Sequence, residues 1–593
     1  MSENKGFPEI IGRKVIGVTA PSELNPATIT QERMSVEANF RLEADVALGT
    51  DVIIGVYTIK EGSFSIKEKV AARIVKHGLQ PPPGIKSPLY AGYRDLKPLT
   101  ENWSKHIKSI IPELFQTCTL DLIGVIDDKN QSLKPVITPI PYGCPIFLPT
   151  PQEMEIIYAF RQGWTIGALV QGMETVRFKE NSVEKVFPYS LDPYAIFRGV
   201  YIVGGPGSGK TVLAKALIEH AYGSGWVIIA PDFKDEFAQM LFRAEPDKLG
   251  FTEEDTKFWE EMGFSPMEIP ESHIYYLPDY PPNFTYLKEE GYDVEVLRKH
   301  MKPFTIEWNN IPAELAALYM PNPSEQAVDF FPQVMDAFRE YAEQTKMKAT
   351  LNNMMEWSLS FDGRETMDKL GLYSSTIQSI QRNLIAMDRS KIFDREKASD
   401  FVEEEIMKSP RLNIISVSQV PFEFRMIFQL HWLLKSVEAK KKKPGEPYLM
   451  QILDEAHYIV PRSPRPGYQQ LLVSTVIETM RVFRAAGAGL VLISHSPEDF
   501  HSTVNDLVGT KIFGNLEEAA IRSQARDLQE FASRISQLPP GYFVIRSPPN
   551  ITNIAAPKCH LIKSPRCRTT HIESEILYRK ALASKTSKLK NEK

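Results

Sequence analysis

Residues 199–217 read G-V-Y-I-V-G-G-P-G-S-G-K-T-V-L-A-K-A-L, and this stretch decides the fold. The apolar run Val200–Val203 precedes a glycine-rich turn, and helix-forming residues follow it. The pattern G-x-x-x-x-G-K-[ST] of phosphate-binding loops is filled by Gly204, Gly209, Lys210 and Thr211. The motif requires a strand before it and a helix after it, and this sequence predicts both. We therefore expect a nucleoside triphosphate site at this turn.

The residue types explain how such a loop binds phosphate. Glycines let successive backbone N–H groups point at phosphate oxygens, and the following helix adds the positive end of its dipole. Lys210 is expected to bridge the β- and γ-phosphates of ATP, and the Thr211 hydroxyl to bind Mg²⁺. A purely structural turn would not explain a Lys-Thr pair at this spacing. The predicted cofactor-binding residues are Gly204, Gly205, Pro206, Gly207, Ser208, Gly209, Lys210, Thr211 and Val212.

Composition is that of an ordinary globular protein with several domains. Of the 593 residues, 43% are hydrophobic and 24% charged, and the net charge is −5. No global positive field attracts nucleic acid, so any DNA contact must be local. Four cysteines make no disulfide framework, the start lacks a signal-peptide pattern, and no apolar run approaches the roughly 18 residues of a membrane span. We expect a cytoplasmic protein that does not enter a membrane.

The chain up to residue 190 differs in pattern from the rest. Short β-rich runs at 15–18, 51–59, 120–126 and 145–148 alternate with turn-rich segments, which predicts a small N-terminal β-barrel domain over residues 1–190. A helical insertion is expected around residues 102–115.

From residue 199 onward, strands alternate with helices. Apolar runs typical of buried parallel strands lie at 200–203, 226–230, 413–417, 449–453, 490–494 and 511–513. The predicted fold class is α/β, with a P-loop (RecA-like), mostly parallel sheet core over residues 191–239 and 396–550. A mainly helical insertion at 240–395 contains helices at 327–343 and 376–387, and residues 551–593 form a C-terminal extension with a basic tail.

The lysines of residues 440–445 are expected in a solvated loop after a helix at 423–437, although a contact with DNA is an alternative.

A second motif completes the nucleotide site. The apolar strand at 449–453 runs into Asp454 and Glu455. Asp454 is predicted to bind Mg²⁺ together with Thr211, and Glu455 to polarise the attacking water. Two adjacent carboxylates repel each other, and a bound cation or a proton relieves that repulsion. This pair indicates hydrolysis rather than nucleotide binding alone.

Spacing then separates the classes of ATPase. Asp454 follows Lys210 by 244 residues, far more than compact AAA+ modules or helicase cores place between these motifs. An L-S-G-G-Q sequence of the ABC type is absent. D-E-A-H at 454–457 also occurs in RNA helicases, but no Q-x-x-G-R-x-G-R follows to supply their arginines.

Five ordered segments make the sequence resemble the HerA branch of the HerA–FtsK superfamily. W-T-I-G at 164–167, with G-C-P at 143–145, is similar to that family's junction between barrel and ATPase, and D-F-K-D-E-F at 232–237 to its D-P-K-G-E-[FY]. L-D-E-A-H at 453–457 matches its second nucleotide motif. The segment at 484–497 aligns on its R-K-[FY]-G-[VL]-G-L and I-S-Q-x-P, and L-P-P-G at 538–541 on its closing L-P-x-G.

The resemblance implies roles for two further residues. Arg484 becomes the arginine finger that reaches a neighbour's γ-phosphate, and His495 becomes the sensor, so the predicted catalytic set is Lys210, Glu455, Arg484 and His495. His495 replaces the family's Gln, Asp235 replaces its Gly, and Ala485 replaces a basic residue. Arg481, one helical turn earlier, is a rival finger, and either arginine could instead form a structural ion pair.

The function that the resemblance implies is an ATP hydrolase that forms a homo-oligomeric ring, a hexamer, and translocates on double-stranded DNA. Family members act with a separate NurA-like nuclease in DNA end processing and repair, or with effectors in antiviral defence. The alternative is an ATP-gated platform that activates a bound effector without appreciable translocation. The acidic net charge favours the platform, and the complete hydrolytic set favours the motor.

Two side-chain groups have competing interpretations. Cys559, His560, Cys567 and His571 suggest zinc, but their spacing fits no standard site, so reduced cysteines with surface histidines are preferred. Asp232 and Glu236 lie either near the nucleotide or at a helix start, where a carboxylate caps the backbone.

Overall fold

The structure, a computed structural model, forms two compact units. One unit comprises residues 1–162, 168–189 and 548–561, and the other comprises 163–167, 190–547 and 562–593. The residues described are 9–10, 13–19, 35–41, 50–60, 63–80, 115–137, 140–141, 143–158, 163–180, 183–401, 403–464, 467–522, 528, 532–547 and 559–572. Residues 102–114 of the predicted helical insertion and the basic tail lie outside these ranges.

Within the described ranges, the chain up to residue 191 forms strands and a helix, and most of these residues belong to the first unit. The strands up to residue 191 are β1 (Glu9–Ile10), β2 (Arg13–Lys14), β3 (Gly17–Thr19), β4 (Ser35–Arg41), β5 (Asp51–Lys60), β6 (Ser63–Gln80), β7 (Phe115–Asp127), β8 (Ser132–Lys134), β9 (Pro145–Phe147), β10 (Trp164–Gln171), β11 (Glu174–Thr175), β12 (Arg177–Glu180), β13 (Val183–Val186) and β14 (Pro188–Leu191), with helix α1 (Pro151–Tyr158) between β9 and β10. Six of them pair in the order β4-β3-β9-β5-β6-β7, and β7 pairs with β4 to close a barrel. The predicted N-terminal barrel is confirmed.

Strand β5 shows how the barrel is packed. Val52 and Ile54 point into the cluster inside the barrel, whereas Ile53 faces the other side. There Ile156 and Ile157 of α1 cover it, so both faces of β5 are buried. A continuous apolar run rather than strict alternation follows from this double burial.

A charged group lies at the start of the same strand. Asp51 is fully buried, and its carboxylate accepts hydrogen bonds from Arg73 Nε at 2.8 Å, from Gln171 Nε2 at 2.9 Å and from the Tyr158 hydroxyl. Because each carboxylate oxygen has partners, the buried charge is compensated. This network ties β5, β6 and α1 together.

The second unit contains a mostly parallel sheet. Its strands are β15 (Val200–Val203), β16 (Val227–Asp232), β17 (Ser272–Tyr276), β18 (Met301–Pro303), β19 (Arg411–Ser416), β20 (Leu449–Leu453), β21 (Ala488–Ser494), β22 (Thr510–Phe513) and β23 (Tyr542–Arg546), and β24 (Cys559–Lys563) follows. Nine of them pair in the order β23-β22-β15-β21-β20-β16-β19-β17-β18, and all of these pairs are parallel except β22 with β23. All six predicted runs form strands, and the predicted α/β class is confirmed.

The long segment between β16 and β19 adds two strands as well as helices. β17 and β18 extend the sheet beyond β19, a feature that the sequence did not predict. The helices of the second unit are α2 (Lys210–Gly223), α3 (Glu253–Met262), α4 (Thr285–Glu289), α5 (Val294–His300), α6 (Ala313–Ala316), α7 (Glu325–Gln344), α8 (Leu351–Leu359), α9 (Phe361–Lys369), α10 (Ser374–Arg389), α11 (Glu403–Ile406), α12 (Phe422–Lys442), α13 (Tyr468–Ala486), α14 (Ser502–Leu507), α15 (Glu518–Arg522) and α16 (Ala532–Ile535). Among the described residues, no helix combines the length and the apolar character needed to cross a membrane.

The prediction of a solvated loop at 440–445 is wrong for residues 440–442, which are helical. Helix α12 continues to Lys442, and Lys440 is fully buried. Its Nζ donates to the carbonyl oxygens of Gly445 and Pro447, the latter at 3.1 Å. Lys440 therefore satisfies carbonyl groups beyond the helix end, a role that a run of lysines conceals.

The buried network at Asp51 gives a stability prediction. Asp51→Ala leaves Arg73 buried without its carboxylate, so the free energy of unfolding of the barrel unit should fall by about 3–5 kcal/mol. The thermal unfolding transition of the full chain measures the change. Asp128→Ala is the matched control, since Asp128 pairs with Lys69 at 3.0 Å but is half exposed, and it should cost less than about 1 kcal/mol. Equal shifts in the two variants would contradict the assignment.

Candidate active site

Strand order and register bring the phosphate loop, Asp454, Glu455 and His495 to one edge of the sheet. β21 lies between β15, which leads into the phosphate loop, and β20, which leads into Asp454. Val203 pairs with Ser494, and Leu453 pairs with Leu492. The residues after these strands therefore emerge side by side at the carboxyl ends, where ligands bind in open α/β sheets.

The phosphate loop has the backbone that its glycines permit. Gly207 and Gly209 take φ values of 72° and 95°, and a Cβ on Gly204 would lie 2.6 Å from Ser208 Oγ. Helix α2 begins at Lys210, whose Nζ donates to the carbonyl oxygens of Gly204 at 2.7 Å and Gly205 at 3.0 Å. Ser208 Oγ is buried and has no hydrogen-bond partner among the described residues. A loop with open space over Gly207 and an unsatisfied hydroxyl fits a phosphate ligand.

Two residues far along the chain brace this loop, and sequence reasoning missed both contacts. Gly205 N donates to Asn515 O at 2.7 Å, and Gly541 N donates to Ser208 O at 3.1 Å. Asn515 Nδ2 also donates to Leu538 O at 2.8 Å, so the L-P-P-G segment and Asn515 form one support. In the sequence, the L-P-P-G segment stands out only by its family likeness, and nothing points to Asn515.

Glu455 lies between two histidines. Its Oε1 is 3.2 Å from His495 Nε2, and its Oε2 is 3.6 Å from His457 Nδ1. The Glu455 backbone has a φ of 49°, a left-handed conformation that is strained for a residue other than glycine. His457 Nδ1 is also 3.0 Å from Ser494 Oγ, which donates to Asp499 Oδ2 at 2.9 Å. The structure thus places His495 beside Glu455, as the predicted catalytic set requires. It also places His457 there, to which the sequence analysis assigned no role.

The electrostatics of the carboxylates fit a divalent cation. Burial, and next the charge of Glu455, raise the pKa of Asp454 to about 7, while nearby Lys234 opposes the shift. Burial lowers the pKa of Lys210, and the charges of Asp454 and Glu455 oppose that shift. A Mg²⁺ ion would be held by Thr211 and Asp454, and it would supply charge neutralisation for the phosphates. Oxygen donors of this kind are those that Mg²⁺ prefers.

In the turn after β16, Asp232 has the capping role that was one of its two predicted interpretations. Its carboxylate accepts the backbone N–H groups of Lys234, Glu236, Phe237 and Ala238 at 2.8–3.3 Å. Asp232 therefore caps the short 3₁₀-helix Phe237–Leu241. Asp235, at the family's Gly position, has a φ of 56° and accepts hydrogen bonds from Ser416 and Ser418. A left-handed backbone there explains why glycine suits the same position.

The two candidate arginines lie at the opposite end of the sheet. Arg484 is exposed in the last turn of α13, just before the amino end of β21. The seven residues of β21 span about 23 Å. Within the described residues Arg484 has no ion pair, whereas Arg481 lies 3.7 Å from Glu478. Neither arginine therefore lies near the phosphate loop of its own chain.

The cysteines and histidines of the C-terminal segment do not form one cluster. His560 is buried and packs against the rings of Tyr158 and Tyr189 at 5.0 and 5.3 Å, so the expected surface histidine is wrong for this residue. The sulfur of Cys567 instead donates to Val212 O at 3.4 Å. No group of three or more possible metal ligands is found within the described ranges.

Fold and site together define a P-loop ATPase, for which ATP and Mg²⁺ are the cofactors. Residues 165–430 match the family described as "Helicase HerA, central domain". This match covers 266 of the 593 residues, just under half of the chain. The matched range contains the phosphate loop and ends before Asp454, Glu455, Arg484 and His495.

Several solved structures are similar to this chain. The bacterial conjugative coupling protein TrwB shares 12% identity with a TM-score of 0.43, over 70% of this chain and 92% of that chain. VirB4 of Thermoanaerobacter pseudethanolicus shares 12% identity with a TM-score of 0.41, over 68% and 96%. The genome packaging NTPase B204 of Sulfolobus turreted icosahedral virus 2 shares 17% identity with a TM-score of 0.21, over 28% and 73%. No curated protein sequence gave a match.

The brace at Gly541 generates a prediction. Gly541→Ala places a side chain at a φ of 82°, which costs about 1–2 kcal/mol and should displace the N–H bonded to Ser208. We expect the Kd for ATP to rise about fivefold or more. Gly291→Ala is the matched control, because Gly291 has a φ of 83° and open space around it. Calorimetric titration that finds the same Kd change in both variants would show that backbone strain, not the brace, is responsible.

Proposed function

We propose that this chain is one subunit of a ring-forming ATP hydrolase that translocates on double-stranded DNA. Lys210 and the loop amides would hold the phosphates, and Thr211 with Asp454 would hold Mg²⁺. Glu455 accepts a proton from the attacking water, because its buried Oε2 receives no hydrogen bond among the described residues and is available to a water molecule. His495, half exposed beside Glu455 Oε1, links this carboxylate to the γ-phosphate.

The observation that carries the ring is the place of the arginines. Arg484 and Arg481 lie beside the amino ends of the strands, and the phosphate loop lies beyond the carboxyl ends. An arginine that acts in hydrolysis must then act on the site of another copy. A repeated contact of this head-to-tail kind closes into a ring, and six copies are the number that the family resemblance suggests.

Duplex DNA as the substrate of movement is supported by the match of residues 165–430 to the HerA central domain and by the ordered motifs that resemble that family. The contact would be local, because the net charge of −5 gives no general attraction for phosphate backbones. A separate partner, a NurA-like nuclease or a defence effector, would perform any cleavage. DNA repair and antiviral defence are both open as settings.

A second candidate is an ATP-gated ring that activates a bound effector with little translocation. The acidic net charge favours it, because a motor that grips DNA phosphates needs basic surface. In this case the barrel unit would dock the effector, and the same nucleotide residues would control assembly.

The arginine assignment is tested by mixing subunits. Arg484→Ala should lower the ATPase rate about 10³-fold, and Glu455→Gln should do so about 10²-fold or more. In mixed rings a Glu455→Gln subunit offers its intact Arg484 to an Arg484→Ala neighbour, so about a quarter of the sites in a one-to-one mixture regain both groups. Arg481→Ala, which removes the nearby arginine, is the matched control and should retain most of the rate. A steady-state ATPase assay at each mixing ratio gives the readout.

Near-wild-type turnover of Arg484→Ala would contradict the assignment, and loss in Arg481→Ala would transfer it to Arg481. If both variants are inactive and mixing restores nothing, these arginines do not act between subunits.

Translocation is tested by the effect of DNA on the ATPase rate. Duplex DNA should raise the rate at least about fivefold at low salt, and the stimulation should fall as salt rises because phosphate contacts are screened. The ring should also displace a protein roadblock, and Glu455→Gln rings should not. Absence of both stimulation and displacement would favour the effector platform.

A further inference from the structure

The segment 562–572, called here the C-terminal strap, is fixed to one face of the phosphate-loop helix α2. Cys567 contacts Val212, Lys215 Nζ donates to Thr570 O at 3.0 Å, and the Thr569 N–H and hydroxyl both donate to Glu219 Oε1 at 2.8 Å. Positions 212, 215 and 219 follow one helical stripe. The strap therefore runs along the helix that carries the phosphate loop.

A cavity of about 400 Å³ lies between the strap and the phosphate loop. The loop contributes Gly207, Gly209 and Val212 to its wall. The opposite wall contains Phe251 and strap residues, among them Arg566 and His571. Its volume is in the range of sites that bury small molecules.

The position of the cavity fits one end of a nucleotide. In a phosphate loop the backbone amides hold the α- and β-phosphates, and the lysine reaches the β- and γ-phosphates. Asp454 and Glu455 directly follow β20, which is separated from the phosphate-loop strand β15 only by β21, and their charges act on Lys210. The γ-phosphate end would therefore face these carboxylates. Neither carboxylate lines the cavity, whereas Gly207 and Gly209 of the loop do. The part of a nucleotide beyond the α-phosphate would therefore enter the cavity.

The wall offers groups suited to a flat heterocycle. The Arg566 guanidinium lies 5.1 Å from the centre of the Phe251 ring and 3.2 Å from Asp255 Oδ2, which fixes its orientation. Planar guanidinium and aromatic faces both stack on bases. His571 Nδ1 is shielded from solvent and has no hydrogen-bond partner within the described residues. An unsatisfied ring nitrogen of this kind can pair with the edge of a base.

We propose that the C-terminal strap forms the nucleoside-binding wall of the nucleotide site, and that the cavity takes the purine base and ribose of the bound nucleoside triphosphate. This inference rests on the proposed ATPase function of the same loop. It assigns substrate recognition to residues more than 350 positions from the phosphate-loop motif, a role that Gly204–Thr211 cannot perform alone because they contact only phosphate.

The test compares ATP with inorganic tripolyphosphate, which has the phosphates but no nucleoside. Leu249 lines the cavity, and Leu249→Trp should fill it. In the full chain this variant should raise the Kd for ATP at least tenfold and leave the Kd for tripolyphosphate unchanged. Arg566→Ala, a smaller change, should weaken ATP two- to fivefold, again without effect on tripolyphosphate. Lys257→Ala is the control, since Lys257 pairs with Glu261 on α3 and does not line the cavity.

Each outcome decides something. Unchanged ATP binding in both variants would overturn the nucleoside wall, and so would equal weakening of ATP and tripolyphosphate, because that pattern means a distorted loop. Lys210→Ala separates the two levels of inference. If it abolishes binding of both probes while Leu249→Trp binds ATP normally, only the cavity assignment fails. If Lys210→Ala binds ATP as the wild type does, the proposed function itself fails.

Discussion

Parallel strands impose the constraint on which the whole second unit depends, because all of their carboxyl ends meet at one edge of the sheet. β21 lies between β15 and β20, so the phosphate loop, Glu455 and His495 emerge beside one another although up to 291 residues separate them. The same constraint sends the residue before each strand to the other edge. Arg484 precedes β21, and for this reason it lies about one strand length from the phosphate loop of its own chain.

Sequence patterns predicted what depends on neighbouring residues. Val200–Val203 and Leu449–Leu453 were placed to the residue, since each is a short apolar run followed by a polar motif. Contacts between remote segments left no such pattern. Asn515 and Gly541 hold the phosphate loop through backbone groups, and a backbone hydrogen bond does not depend on the side chain. Lys440 was misjudged for a related reason, because burial of its ammonium depends on two carbonyl oxygens that only the folded turn supplies.

The carboxylates at the site repel one another when they are ionised. Asp454 and Glu455 are adjacent, and a cluster of acidic groups around Asp232 lies close by. Burial raises the pKa of Asp232, with added repulsion from Asp235 and Glu236, even though four backbone N–H groups bind its carboxylate. Concentrated negative charge in a half-buried edge favours a bound cation and the positive end of a helix. The combined charge of this edge therefore suits a magnesium-bound nucleotide.

Lys215 shows why the C-terminal strap cannot be regarded as a loose tail. It is fully buried on α2, five residues after Lys210, and its ammonium is held by Thr570 O and Gln239 Oε1. An ammonium left without these partners in the interior would cost several kcal/mol. Displacement of the strap would therefore leave an unpaired charge on the helix that positions the phosphate loop. Because Gln239 also exchanges hydrogen bonds with the backbone of Ile572, the turn after β16, the phosphate-loop helix and the strap stabilise one another and change position only together.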